Sequence, residues 1–481
     1  MSLKDKAISS FNWTILDGLI SQGFLFLIGI LLARMLSPAE IGIIGILTVF
    51  LAISNIIVEA GFGSALIRKT NVTDLDYNTV FYINLITSVV LYIILLLASG
   101  VIADFFNIPE LNDILKVAGI VLVLNALSLI HKTQYTKFLK FKLQAIVSVS
   151  AAIVSGFCAI LMAYYGFGIW SLVALVVIRP IVVCIAYWFT NTWRPKWVFS
   201  KDSFNELFEF GYKLLVANMI NTVYHNAFYI IIGKVFSAID LGYYTRAEQF
   251  KTPITSNITT AIQRISFPIL SSIKEDKPKL KRAFTRFIRF AVFLNFPIML
   301  GVVAFAEPMI IVLIGEKWRP SIFYLQLLCI PGMLYPLQIL HLNLLLVLGH
   351  SNLNLKLEVI KKVILIPILI ITAYLGLTYM IYGLVLFSVL EFFINSFYTK
   401  RLIGYSWTEQ FKDIAKLLLI SIITSGCMFF VLFFPIDYLL KFILQILIGT
   451  IIFLFFAYLF NIPELKEVYN KVKVLIKTKI R

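Results

Sequence analysis

Fourteen apolar stretches, each about as long as a membrane-crossing helix, follow one another along this 481-residue chain. A helix needs about 20 predominantly apolar residues to cross the hydrocarbon core of a bilayer. The stretches cover residues 11–33, 41–60, 80–102, 114–130, 144–165, 167–190, 209–233, 241–271, 286–306, 321–348, 356–376, 378–399, 412–434 and 437–460. No connection between them is long enough to fold as a separate domain. The pattern therefore predicts an all-α integral membrane protein with about 14 transmembrane helices.

The composition supports this class and excludes others. Charged residues make up 14% of the chain and apolar residues 60%, whereas soluble globular proteins contain about 25% charged residues. An ordinary soluble enzyme, a disordered chain and a nucleic-acid-binding protein are therefore excluded, despite the net charge of +17. We expect no nucleic acid among the partners.

The 42 Lys and Arg residues are distributed very unevenly between the two sides of the predicted spans. If the N-terminus lies in the cytoplasm, the cytoplasmic ends and loops contain 31 of them and the opposite connections contain 4. The other 7 lie within or at the edges of spans. Cytoplasmic loops of membrane proteins carry an excess of Lys and Arg. This bias predicts a multi-pass protein with both termini in the cytoplasm.

An internal repeat relates the first and seventh spans. Residues 30–42 and 230–242 share basic, Ser, acidic and Gly residues in the same register, with six spans between the two copies. An even number of spans gives both halves the same orientation, which is typical of transporters with parallel repeats and a site between them. We therefore predict a six-helix bundle at 1–200, a second at 201–405, and two extra helices with a basic cytoplasmic tail at 406–481.

Two carboxylates lie within the first two spans, where charged groups are costly and usually functional. Asp17 shares a helical face with Ser10, Thr14 and Ser21 and is predicted to face a cavity. Glu59 lies near the predicted cytoplasmic end of the second span. It either acts in transport or simply pairs with Arg68 or Lys69.

A richer set of polar residues lies in spans six to eight. Cations predominate, and only one acidic residue, Glu248, lies within the eighth span. Such a lining suits an anionic substrate, because guanidinium groups bind phosphate oxygens two at a time. The alternative is that these groups only bond helix to helix, and Arg179 has the further alternative of pairing with Glu59. The candidates are Arg179, Lys213, Asn218, Asn221, His225, Arg246, Lys251, Asn257 and Arg264.

Metal, cofactor and nucleotide motifs are not found in the sequence. The four cysteines match no metal or redox spacing, and no phosphate-binding loop of the Walker A type occurs. We expect no cofactor, no metal and no enzymatic activity. Transport is then driven by an ion gradient, the membrane potential or consumption of the product.

Three segments resemble bacterial polysaccharide flippases. They are Phe11-Asn12-Trp13, the segment from Leu32 to Gly42, and Gly61-Phe62-Gly63-Ser64-Ala65-Leu66-Ile67-Arg68-Lys69. The chain is similar over its whole length to the Wzx-type lipopolysaccharide and exopolysaccharide exporters. These belong to the multidrug/oligosaccharidyl-lipid/polysaccharide superfamily, and the colanic-acid-exporter branch is the most similar.

The resemblance implies two bundles that alternate access and a polyprenyl-diphosphate-linked oligosaccharide as substrate. The substrate is turned from the cytoplasmic to the periplasmic leaflet of the bacterial inner membrane. In this hypothesis the Arg and Lys candidates bind the diphosphate, the Asn and His candidates contact sugar, and Asp17 and Glu59 are gate or coupling carboxylates. Membrane lipids, a coupling cation (H⁺ or Na⁺) and polysaccharide polymerase and export machinery are the expected partners.

Three alternatives remain open from the sequence. A drug/cation antiporter of the same superfamily predicts an acidic cavity and usually twelve spans. A flippase for the lipid-linked peptidoglycan precursor would bind a substrate with nearly the same headgroup as the polysaccharide precursor. A membrane polysaccharide polymerase needs a large periplasmic loop, which the predicted connections do not provide.

Overall fold

The computed structural model describes residues 3–467, 469 and 470, without the side chains of residues 3–12, 14–16 and 19. Throughout this part of the chain the regular elements are helices, as predicted. The helices are α1 (Leu3–Met35), α2 (Pro38–Glu59), α3 (Phe62–Arg68), α4 (Asp74–Phe106), α5 (Glu110–Ala118), α6 (Ile120–Lys137), α7 (Phe141–Tyr164), α8 (Ile169–Thr190), α9 (Lys201–Val235), α10 (Ala238–Ser272), α11 (Lys277–Ile314), α12 (Arg319–Val347), α13 (Ser351–Leu375), α14 (Leu377–Ile403), α15 (Trp407–Phe430) and α16 (Tyr438–Leu459).

Each of the fourteen apolar stretches lies on a helix, and the fourth lies on the consecutive helices α5 and α6. Within the described residues, ten helical segments are long and apolar enough to cross a membrane, and a shorter apolar segment runs over Ile20–Met35. The helices α9, α10 and α13 are not among the ten because they carry more polar or charged residues. The all-α membrane architecture is confirmed, whereas the count of fourteen crossings stays a prediction.

The chain divides into two compact units, Met1–Gly242 and Tyr243–Arg481. In the first unit α7 packs against α1 and α8, and α4 packs against α6. In the second unit α11 packs against α12, α15 and α16, and α14 packs against α12 and α13. The bundles predicted at 1–200 and 201–405, and the tail segment at 406–481, remain a prediction.

The repeated motif begins a helix in each of its two copies. The Ser37 hydroxyl accepts a hydrogen bond from the backbone N–H of Glu40 at the start of α2, and the Glu40 side chain accepts one from the Ser37 backbone. At the start of α10 the Ser237 hydroxyl accepts from the Asp240 N–H and donates to its carboxylate at 2.6 Å. Such caps satisfy backbone donors that have no partner in the first helical turn. The shared Ser and acidic residues therefore have a shared structural role.

The glycines of the two motif copies contact the opposite copy. A Cβ at Gly42 would lie 1.8 Å from the carbonyl oxygen of Ala238, and one at Gly242 would lie 1.9 Å from that of Pro38. The relation is reciprocal, since 38 and 238 are equivalent positions of the repeat, as are 42 and 242. Only glycine allows two backbones to approach this closely.

Prolines inside α11 and α12 free backbone carbonyls that amide side chains then bind. Pro336 has no N–H to donate to the carbonyl of Gly332 one turn earlier, and the Asn295 amide of α11 donates to that oxygen at 2.9 Å. Pro308 likewise frees the carbonyl of Ala304, which accepts from the Gln445 amide of α16 at 3.3 Å. Polar backbone groups inside a membrane need such partners. These amides therefore hold the second unit together.

Candidate functional site

Helices α9 and α10 expose polar side chains along much of their length. On α4 and α13 the exposed positions include Leu97, Val101 and Ile366. A charged or amide group exposed to hydrocarbon is very costly, so exposed polar faces of membrane helices line water-filled space. On the middle and C-terminal part of α10 the exposed polar residues include Thr252, Ser256, Asn257, Thr260 and Arg264.

The two arginines of α10 lie in different environments. Arg264 is exposed, and it makes no ion pair or hydrogen bond with the described residues. Arg246 is only 6% exposed. Its guanidinium donates to the Gln249 amide oxygen at 2.7 Å and lies 5.4 Å from the centre of the Trp318 ring, while its Nε has no partner in the described chain. The two arginines thus do not share one exposed face in this conformation.

Lys251 is partly buried and paired with a carboxylate. Its ammonium lies 2.8 Å from Glu248 one turn earlier, and its stem packs against Gly332 of α12. Helix α10 continues through Pro253 without interruption. Because Glu248 compensates Lys251, Arg264 is the uncompensated and accessible cation of this helix.

The four candidates on α9 are all exposed. Asn218, Asn221 and His225 follow one another at a spacing of three and four residues, which places them on one face. Lys213 is exposed as well, with its ammonium 5.7 Å from the centre of the Tyr212 ring. These residues present amide, imidazole and ammonium groups along one helix.

Asp17 and Arg179 interact electrostatically in the first unit, without an ion pair within 4.0 Å in the described part of the chain. The Asp17 carboxylate accepts a hydrogen bond from Ser21 at 2.8 Å, and Ser21 lies 3.2 Å from Ser148 of α7. Asp17 interacts electrostatically with Arg179 of α8, and both side chains are half-buried. The side chains of Ser10 and Thr14, predicted on the same face as Asp17, lie outside the described residues.

Glu59 is the exposed last residue of α2. It forms no ion pair within 4.0 Å with Arg68 or Lys69 among the described residues, and Arg179 interacts with Asp17 instead. The alternative pairings predicted from the sequence are therefore not formed.

The segment Gly61–Lys69 forms a structural connection between α2 and α4. Gly61 has φ +73°, and a Cβ there would lie 2.5 Å from the carbonyl oxygen of Gly211 on α9. Lys69 lies 3.0 Å from Asp76 and 2.9 Å from Glu206. Burial opposes the charged form of Lys69, but the hydrogen bonds to Glu206 and Asp76 outweigh it and raise the pKa of Lys69. This segment fixes α3 to its neighbours.

The sequence did not predict that two polar residues, His131 and Lys361, are buried. His131 lies one residue beyond the predicted stretch 114–130, yet it is fully buried on α6 against the rings of Trp188 and Trp193, because the helix extends to Lys137. Lys361, which lies within the predicted stretch 356–376, is buried on α13 beside Glu391 of α14. The sequence signal for the second position was Glu391, the one carboxylate within the apolar stretch 378–399.

In the part of the chain that the structure describes, no group of three or more His, Cys, Asp or Glu side chains is arranged to hold a metal ion. The chemistry of these faces is therefore that of amides, hydroxyls, guanidinium and ammonium groups.

A family model described as "Polysaccharide biosynthesis protein" matches residues 31–323, which is more than half of the chain. The chain belongs to this family. It is 23% identical over 417 residues to the lipopolysaccharide biosynthesis protein WzxC of Escherichia coli (strain K12), covering 85% of this chain and 84% of that protein. It is 24% identical over 326 residues to the succinoglycan biosynthesis transport protein ExoT of Rhizobium meliloti (strain 1021), covering 68% and 66%.

Two solved structures share the fold of this family member. The lipid II flippase MurJ in an inward closed conformation superposes with a TM-score of 0.74 at 16% identity, covering 94% of this chain and 98% of that one. An inward-facing transporter of the multidrug resistance MATE family, of the MOP superfamily, gives a TM-score of 0.59 at 15% identity, covering 80% and 96%. The predicted resemblance to polysaccharide biosynthesis proteins is confirmed by the family match, and these two structures show that the fold is shared.

Proposed function

We propose that this protein is a flippase for surface-polysaccharide precursors. It moves polyprenyl-diphosphate-linked oligosaccharide units from the cytoplasmic to the periplasmic leaflet of the bacterial inner membrane by alternating access, with both termini in the cytoplasm. The observation that carries the proposal is that α9 and α10 expose amides, hydroxyls and uncompensated cations. The family and the names of its relatives support a role in polysaccharide export.

The diphosphate is assigned to the accessible cations. Arg264 is exposed and unpaired among the described residues, so its guanidinium fork is free to bind phosphate oxygens. Lys213 is the exposed cation of α9. Lys251 is paired with Glu248, Arg246 lies against Trp318 and Arg179 interacts electrostatically with Asp17. We assign these three cations to later points of the path, where a change of conformation makes them available.

The sugars are assigned to the polar neutral side chains. Asn218, Asn221 and His225 on α9, and Asn257 on α10, are exposed and offer both donors and acceptors. The polyprenyl tail remains in lipid and needs no polar partner. Asp17 and Glu59 are the proposed gate or coupling carboxylates, because both are charged groups on membrane helices.

The protein acts in this proposal as a transporter and not as an enzyme. It releases its substrate to polysaccharide polymerase and export machinery in the periplasm, and it works with membrane lipids and a coupling cation (H⁺ or Na⁺). No cofactor is required.

A deletion strain tests the proposal. Without the protein, lipid-linked oligosaccharide should accumulate on the cytoplasmic leaflet and surface polysaccharide should be lost. The Arg264→Ala variant should lower export about tenfold or more, since a hydrogen bond to a charged group contributes about 1.5–3 kcal/mol. Arg264→Lys should restore export only in part, because an ammonium lacks the bidentate fork.

The matched control is Arg282→Ala, which removes another exposed arginine near the start of α11. It should export at the wild-type rate. Normal surface polysaccharide in Arg264→Ala cells with unchanged protein level would refute the assignment of Arg264. Normal lipid-linked oligosaccharide distribution in the deletion strain would refute the function itself.

A further inference from the structure

Four charged side chains form a cluster between α13 and α14. The Lys361 ammonium lies 2.5 Å from a carboxylate oxygen of Glu358 and 3.0 Å from one of Glu391. The Lys362 ammonium lies 3.7 Å from the other oxygen of Glu358. Two carboxylates and two ammonium groups give the cluster a net charge of zero.

The cluster lies deep along both helices. Glu391 is near the middle of α14, one of the helices long and apolar enough to cross a membrane. Lys361 lies ten residues after the first residue of α13, about 15 Å along the helix axis, and its side chain is 3% exposed. Lys361 and Lys362 therefore lie within a helix and not in a connection between helices.

Such a cluster is expensive for a structural contact. Removing an ion such as the Lys361 ammonium from water costs several kcal/mol, and well-packed apolar residues usually hold helices together as well or better. Ionisable groups inside a membrane therefore point to a function.

A second observation extends the cluster along α14. Ser388, Asn395 and Thr399 recur on the face of Glu391, at spacings of three and four residues, and all three are buried. Neither the oxygen nor the nitrogen of the Asn395 amide has a hydrogen-bond partner in the described chain. Buried polar atoms are almost always hydrogen-bonded, so the unpaired amide of Asn395, one turn from the Glu391 carboxylate, requires an explanation.

A histidine of α12 lies at the end of this stripe. The Nδ1 atom of His341 lies 2.8 Å from the Thr399 hydroxyl, and its Nε2 atom has no partner in the described chain. From Glu391 to Thr399 the helix rises about 12 Å, towards the end that carries Lys400 and Arg401. That end is the predicted cytoplasmic one.

We propose that Glu391 and Glu358 form a proton-exchange site, with Lys361 as its fixed counter-ion and Asn395, Thr399 and His341 as the proton path from the cytoplasmic end of α14. This inference rests on the proposed transport function, for which it identifies the coupling ion. A carboxylate, a hydroxyl and an imidazole in sequence are the groups that carry protons through membrane proteins.

The exchange step is a simple protonation. The Glu391 carboxylate takes up one proton and gives up its charge-assisted hydrogen bond from Lys361, which stays bonded to Glu358. The net charge of the cluster changes from zero to +1. The other titratable groups that face the site are Lys362 on α13 and Tyr335 on α12, which interacts electrostatically with both carboxylates.

The position of Lys361 favours a proton over a metal cation. Its ammonium already occupies the space between the two carboxylates. A sodium ion binding there would lie within a few ångströms of this positive charge. The chain therefore supplies its own cation, and transport should not depend on sodium.

The first test detects proton binding without any substrate. Infrared difference spectra of the purified full-length protein, between mildly acidic and neutral pH, should show a protonated-carboxyl band. The band should be absent in Glu391→Gln and unchanged in Glu307→Gln, a control that removes a similarly exposed, ion-paired carboxylate. A band that persists in the Glu358→Gln/Glu391→Gln double variant would refute the proposal.

The second test separates coupling from structural support. In the deletion strain, Glu391→Gln should lower export about tenfold, within the range of known coupling free energies, at unchanged protein level. The neutral pair Lys361→Met/Glu391→Gln leaves no unpaired buried charge on either residue, so it should fold but not export. Wild-type export by this pair would show that the cluster is only a structural contact.

The two proposals fail in different ways. If the wild-type chain does not restore polysaccharide export, the transport function fails, and the infrared band still decides whether Glu391 binds a proton. If export is normal but requires sodium, the proton-exchange site is wrong and the flippase function stands. His341→Phe, which preserves the ring packing against Phe284 and Phe392, should slow export but retain the infrared band.

Discussion

Replacing Gly242 by alanine should destabilise the protein, although alanine is the better helix former. Real Cβ atoms essentially never approach a heavy atom closer than 3.0 Å, and here the Cβ would lie 1.9 Å from the carbonyl oxygen of Pro38. To reach 3.0 Å the two backbones must separate by about 1.1 Å. The same argument at Gly42, with 1.8 Å to the Ala238 oxygen, requires about 1.2 Å.

The magnitude follows from two opposing terms. Alanine in a helix is favoured over glycine by about 1 kcal/mol. Overpacking costs about 1–3 kcal/mol where side chains can yield, and the obstacle at Gly242 is backbone. We therefore expect a net loss of about 2 kcal/mol or more.

Thermal unfolding of the purified protein measures this difference. The control is Gly426→Ala on α15, where no heavy atom lies within 4 Å of the new Cβ, and which should be slightly stabilising. In the Gly42→Ala/Gly242→Ala variant one separation of the two backbones relieves both clashes. The double variant should therefore lose less than the sum of the single losses.

Two results would refute this reasoning. The first is a Gly242→Ala variant that is as stable as Gly426→Ala. The second is full additivity of the two single changes, because it would mean that Gly42 and Gly242 do not share one contact.

Three further substitutions test other contacts by thermal unfolding. Lys69→Met leaves the buried Asp76 without its ammonium partner and should cost about 2 kcal/mol, whereas Lys69→Arg should keep most of the stability. Asn295→Leu leaves a proline-freed carbonyl unpaired and should cost about 1–3 kcal/mol; a neutral result would mean that α12 satisfies this carbonyl by itself. Trp318→Leu removes the ring beside Arg246 and should cost about 3 kcal/mol, and an unchanged midpoint would mean that this contact contributes nothing.

The positions of the helices followed from the sequence because bilayer thickness fixes the length of an apolar helix. All fourteen stretches lie on helices, and the caps at Ser37 and Ser237 were visible as a repeat. The exact boundaries of α6 and α13 did not follow from the sequence, since amphipathic helices continue into segments that resemble loops. His131, one residue beyond the predicted stretch 114–130, is buried on α6 for this reason.

The candidate site was predicted only in part. Helix periodicity predicts Asn218, Asn221 and His225 on one face of α9, where all three are exposed, and their role in the site stays a prediction. It could not distinguish Arg264 from Arg246, because the exposure of each arginine depends on the helices packed around α10. Only the structure shows Arg246 beside Trp318 and Arg264 accessible.

The sequence by itself determined the membrane class, the helices and the excess of cations over carboxylates in α10. These properties depend on local composition and on the thickness of a bilayer. The tertiary structure decided which charges are compensated, because ion pairs such as Lys361 with Glu391 join residues on different helices. A charge inside a membrane acquires its role from its partner, and partners across helices are set by packing.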